Sequence, residues 1–204
     1  MKDYISIGGQ IVHLSAEQVE KIMAENGITI QRKTLAECAA RETVKIGGFE
    51  MVVLEQREGE TSLILKDTYG DETTFGNTNH YDGSNVDKRC QEFAKELEDL
   101  VGAENIIPHE VDLVSNDGLK CYGKVTRRAS SITADMYRKF VDILDTVNPE
   151  KWWWLATPWS TKRHDGDRWN ICVAPSGNFY CDCYGYGVGV RPFCILKSSI
   201  FVSA

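Results

Sequence analysis

Long apolar runs are missing from this 204-residue chain; the longest are a few residues. A membrane-crossing helix needs about 20, so no membrane span is expected. The opening Met1-Lys-Asp-Tyr-Ile-Ser-Ile-Gly-Gly holds no apolar stretch of secretory type, and a cytoplasmic or virion-associated protein without a signal peptide is expected. Positive charge is also short: 23 Lys and Arg stand against 30 Asp and Glu, a formal net charge of −7. That balance argues against a broad nucleic-acid-binding surface, which works by neutralising phosphates. Arg127-Arg128 and Lys162-Arg163-His164 are too short to reverse it.

Histidine is scarce. His13, His80, His109 and His164 lie far apart and make no HExxH or other ligand spacing. His109-Glu110 beside Asp112 reads as a surface pair rather than acid–base machinery. Gly8-Gly9 and Gly47-Gly48 lack a phosphate-loop context, and no Gly-x-Ser-x-Gly elbow occurs. No catalytic residue, metal or cofactor is therefore assigned. Seven cysteines, an odd number, read as reduced thiols.

What is present is an ordinary globular composition, 42% hydrophobic and 26% charged, with strand and helix signals alternating. Tyr4 to Leu14 is two alternating runs split by Gly8-Gly9, a hairpin. Ser15 and Gln18 then cap a helix that stops at Asn26-Gly27. A unit of about 30 residues has no substantial core of its own, so it packs on the main body or on copies of itself in a homo-oligomer. Gln31 to Arg41 is a charged connector holding a short helix capped by Thr34 and Glu37. Thr43–Ile46, Phe49–Gln56 and Thr61–Leu65 read as three consecutive antiparallel strands, and Asp67 to Asn85 as a long surface loop. Ser84 opens a helix to about Val101 with Val86, Cys90, Phe93, Leu97 and Leu100 on one face. Ile106 to Val114 reads as a strand, and Ser131 starts a second helix that ends at Asn148-Pro149.

From Lys151 the composition changes, and all five tryptophans follow. Trp152 to Pro158 is apolar on both faces, as expected of a central strand in the core. Ser176-Gly177 is a turn between Arg168–Ala174 and Asn178–Tyr184. Alternation then puts Trp169, Ile171, Val173, Phe179, Cys181 and Cys183 on one face, which suits a core. Arg168, Asn170, Tyr180, Asp182 and Tyr184 take the other, with Tyr186 just beyond and Trp159 in the adjoining loop. Tyr, Asn, Asp and Arg are the side chains adaptable recognition surfaces use, so these seven are the candidate ligand-binding residues. Gly185 to Pro192 has three glycines in five positions, permitting close backbone approach. Arg191 is expected to make structural hydrogen bonds or an ion pair, and Phe193–Leu196 to be a closing strand.

Trp153-Trp-Leu-Ala-Thr-Pro158 followed by Gly187-Val-Gly-Val-Arg-Pro-Phe193 resembles the signature of an uncharacterised bacteriophage and prophage domain, in which a WWLRSP-like strand precedes a hairpin and a GVRP strand. The resemblance extends over roughly residues 43 to 203. It implies a C-type-lectin-like fold, shared with formylglycine-generating enzymes, in which diversity-generating retroelements vary the final hairpin of some proteins. Departures exist: Trp169-Asn170 is followed by Ile171, so the calcium site of lectins is not supported. Cys181 and Cys183 stand two apart with no second motif, so a copper site is not either.

Together these readings give an α+β fold, antiparallel sheets with two flanking helices. They divide the chain into an N-terminal hairpin-helix with connector (1–41) and a C-type-lectin-like domain (42–204). The expected function is non-enzymatic binding of a protein or glycan ligand. The alternative is a phage-encoded effector that inhibits a host defence protein or sequesters a nucleotide.

Overall fold

The structure is a computed structural model that describes the backbone of Tyr4–Ile7, Gln10–His13 and Glu25 and every atom of residues 33–202. The expected first hairpin is present: β1 (Tyr4–Ile7) pairs antiparallel with β2 (Gln10–His13). Of the helix expected over residues 15–26 only Glu25 lies among the described residues, and it is helical. β3 (Lys33–Thr34) leads into a 3-10 turn at Leu35–Glu37, where the Glu37 carboxylate accepts from the Thr34 N–H and hydroxyl, both at 2.7 Å. Leu35 is fully buried, so this segment is built into the main body.

β4 (Thr43–Ile46), β5 (Phe49–Arg57) and β6 (Glu60–Leu65) form the three expected strands. The surface loop expected over Asp67 to Asn85 differs: Phe75, Asn79 and Tyr81 at its centre are fully buried, and Asn85 already belongs to the helix that follows. Helix α1 (Asn85–Val101) starts where the sequence places it, with the Ser84 hydroxyl accepting the Asp87 N–H at 3.0 Å.

The strand expected over 106–114 is two short ones, β7 (Ile106–Ile107) and β8 (His109–Asp112), in different sheets. β9 (Lys124–Arg127) and β10 (Ala129–Ser131) follow. The second helix is broken at Phe140 into α2 (Ala134–Lys139) and α3 (Val141–Leu144), well short of Asn148. The chain ends its described course with β11 (Trp153–Pro158), β12 (Trp169–Val173), β13 (Phe179–Cys183), β14 (Pro192–Lys197) and β15 (Phe201–Val202).

The main sheet runs β10-β14-β6-β5-β4, with β7 also on β14. Its strands are apolar at successive positions because both faces are covered. Met51, Val53, Leu63, Leu65, Cys194 and Leu196 pack under Phe93, Ala94 and Leu97 of α1. Val52, Leu54, Ile64 and Phe193 pack on the opposite face under Tyr137, Phe140 and Leu144 and a second sheet, β11-β12-β13. Each fully buried Leu, Ile or Phe side chain contributes about 1.5–3 kcal/mol. A third cluster lies behind the second sheet, where Phe75, Tyr81, Val86 and Cys90 meet Trp154, Ala156 and Cys172.

The Gly187–Pro192 segment is what closes the second sheet from outside. It runs parallel beside β11, with the Trp154 N–H donating to Gly189 O and the Gly189 N–H to Trp152 O, both at 2.9 Å. A Cβ on Gly189 would lie 2.9 Å from Trp152 O and 2.5 Å from Thr68 Cγ2, so only glycine fits.

Candidate functional site

The candidate site is the β12–β13 hairpin, and its geometry follows from one unbroken register. Trp169 stands opposite Cys183, Ile171 opposite Cys181 and Val173 opposite Phe179, while Asn170 opposes Asp182 and Cys172 opposes Tyr180. The two sets of side chains thus share faces as alternation predicts. The burial differs from the expectation of one dry and one wet face. β12 is sandwiched between two cores: Ile171 and Val173 belong to the cluster on the main-sheet side, Cys172 to the cluster behind. β13 is the outermost strand and is wet on both faces except at Phe179, which packs partly buried against the main-sheet-side cluster.

Three corrections result. Asn170, expected on the recognition face, is fully buried; its Nδ2 donates to Asn79 O at 3.4 Å and its Oδ1 has no partner among the described residues. Cys181, expected inward, is exposed, and Cys183 is half-buried, because among the described residues the core on that face reaches Phe179 and stops short of both cysteines. Trp152 and Trp169, expected in the core, are each well exposed, at 40% and 42%.

The other candidate residues fall into two groups. Tyr180, 50% exposed, meets Trp152 edge-to-face with ring centroids 5.0 Å apart, next to half-buried Asp182, on the face shared with Arg168. On the opposite face, Trp159 lies across from Trp169, its N–H donating to Trp169 O at 2.9 Å. Tyr186 stands clear of the turn after β13 and is the most exposed tyrosine of the hairpin. Tyr184 is half-buried against the third cluster, and its carbonyl accepts the Phe75 N–H at 2.8 Å. Trp152 and Trp169 are the residues sequence reasoning missed, because density of tryptophan alone does not tell core from rim.

The hairpin is held rigidly at both ends. At the turn, where Gly177 takes φ +82°, the Tyr137 hydroxyl reaches Gly177 O at 3.1 Å and Asp145 at 3.0 Å, and Asn148 donates to Ala174 O at 2.7 Å. At the other end buried Asn79 donates to the carbonyls of Ser160, Gly166 and Trp169 and accepts the Tyr122 hydroxyl at 2.7 Å. Asp117 fixes the loop between β11 and β12. It accepts from Ser115, from Ser160 at 2.6 Å and from His164 Nδ1 at 3.0 Å, and the Ser115 and Ser160 hydroxyls hold its carboxyl far below the usual range. A nucleophilic relay needs the imidazole between hydroxyl and carboxylate; here both go directly to Asp117.

Arg191 is fully buried, donating to Leu65 O at 2.7 Å and Val147 O at 2.9 Å and stacking over Trp153. These carbonyls belong to the two walls of an open cleft of about 650 Å³ that carries the carboxylates of Glu50, Asp67 and Glu150. Among the described residues no group of three or more His, Cys, Asp or Glu side chains is placed to hold a metal, and no helix is long and apolar enough to cross a membrane. Comparison with protein families, curated proteins and solved structures finds no match for the sequence or the fold.

Proposed function

We propose that the chain is a non-enzymatic binding protein that presents the outer strand of its C-terminal hairpin and the aromatic side chains beside it to a protein or glycan ligand. One observation carries this reading. Among the described residues seven large apolar side chains are well exposed, and five of them, Trp152, Trp159, Trp169, Tyr180 and Tyr186, lie on or next to the second sheet. Exposed aromatics gathered in one region of a folded chain mark an interaction surface more often than scattered ones do. Tyrosine and tryptophan offer large contact area with few rotatable bonds, and the clamped turn limits the ordering cost on binding. A C-type-lectin-like domain of phage type, with a hairpin open to diversification, is the finer form of the same proposal. It is supported by the WWLATP and GVGVRPF strings quoted above and by an outer strand whose middle side chains, Tyr180, Cys181 and Asp182, join none of the three buried clusters.

The purified chain, probed on protein and glycan arrays, is expected to give a ligand. The triple variant Arg168→Ala, Trp169→Ala, Tyr186→Ala should lose it while melting within a few degrees of the parent. Retention of binding by that variant, or arrays without any hit, overturns the proposal.

A further inference from the structure

We propose that the outer edge of β13 receives a second copy of this chain, antiparallel about a twofold axis at Tyr180, so that two copies share one continuous six-stranded sheet. The argument rests on the backbone of that edge and not on the ligand reading above.

In an antiparallel ladder alternate residues turn their N–H and C=O toward the neighbouring strand. The Ala174 N–H donates to Asn178 O and the Tyr184 N–H to Arg168 O, so the even-numbered residues of β13 face β12. Phe179, Cys181 and Cys183 therefore point their backbone groups outward. Cys183 is satisfied locally, its N–H donating to Asp182 Oδ1 at 2.7 Å and its carbonyl accepting the Tyr186 N–H at 3.0 Å. The N–H and C=O of Phe179 and Cys181 have no partner among the described residues. Edge strands are normally guarded by Lys, Pro or a bulge. β4, at the edge of the main sheet, carries exposed Lys45, whereas β13 has neither Lys nor Pro and keeps register over all five pairs.

Only registers that pair odd with odd residues bring outward groups together, and three of these have their axis at an interior residue of the strand. An axis at Asp182 sets the two Asp182 carboxylates directly opposite, which is destabilising. An axis at Cys181 draws on Cys183, whose groups are already used. An axis at Tyr180 pairs Phe179 with the second copy's Cys181 and the reverse, so four hydrogen bonds consume all the free groups on both copies. It also sets the two Tyr180 rings across a close pair, with Cα atoms about 4.5 Å apart, and Asp182 opposite the second copy's Asn178. This self-complementarity, tyrosine on tyrosine and amide on carboxylate, is what an isologous twofold contact requires and an arbitrary peptide does not supply.

The test uses the full chain in sedimentation at about 0.15 M salt, where the Debye length of about 8 Å screens the net negative charge. A dimer is expected. Cys181→Pro removes an N–H the monomer does not use and should raise the dimer Kd at least about tenfold with little change in melting temperature. Asn178→Asp should weaken the dimer in the same way, and adding Asp182→Asn should restore it. A monomer at every concentration, a dimer indifferent to Cys181→Pro, or no rescue by the second substitution overturns the proposal. So does a monomer whose Phe179 and Cys181 amides resist hydrogen exchange, since another segment would then fill the edge. Loss of ligand binding in the Trp169 and Tyr186 variants leaves the dimer intact, so the two proposals fail separately.

Discussion

At His109 burial withdraws the solvent that would share an imidazolium charge. Its Nε2 meets the Ser130 hydroxyl at 2.8 Å and its ring lies edge-on to Phe193, 4.9 Å away. Burial pushes its pKa down to about 4, against 6.5 ordinarily. The unfolded chain therefore takes up this proton first as pH falls. The stabilisation is complete above about pH 6.5 and is lost progressively toward pH 4, on the order of 3 kcal/mol over the whole window. Urea unfolding across that range should show the slope, and His109→Gln should flatten it. Asp117, whose carboxyl is held low by Ser115 and Ser160, adds a separate loss only in stronger acid. At Gly189 a side chain meets backbone on one side and Thr68 on the other. Gly189→Ala should cost about 2–3 kcal/mol, read as a shift of the denaturation midpoint.

Among the elements, the loop from Trp159 to Asp167 has little apolar burial and depends on polar tethers. Asn79→Ala leaves the Ser160 and Gly166 carbonyls without their donor and the Tyr122 hydroxyl without its acceptor, while Trp169 O keeps the Trp159 N–H, a loss of about 2–4 kcal/mol. Amide exchange in residues 160–167 should accelerate before the rest of the chain responds. The sequence makes the long elements legible: the β4–β6 strands, the Ser84-capped helix, the turn at Ser176-Gly177 and the capping pair of Thr34 and Glu37 are each set by local chemistry. The breaks are not. The split at Phe140, the division of 106–112 between two sheets and the buried centre of the 66–84 loop answer to distant partners, and no short-range pattern encodes them.

For the whole molecule, the hairpin's register could be read from alternation, but not which face meets water. Alternation says that Asn170 and Tyr180 share a face; it cannot say that a third cluster roofs the inner strand and stops short of the outer one. For the same reason the exposed Trp152 and Trp169 are indistinguishable in sequence from buried Trp153 and Trp154.

β14, in the interior of the main sheet, is also among the last strands along the chain. It pairs with β6 on one side and with β10 and β7 on the other, so β6 waits with an open flank until about 130 further residues have been made. Long-range closure of this kind slows folding and leaves sticky intermediates during synthesis. A nascent chain stalled before Pro192 should therefore be captured by chaperones or aggregate, whereas one released past Lys197 should become protease-resistant in a single step.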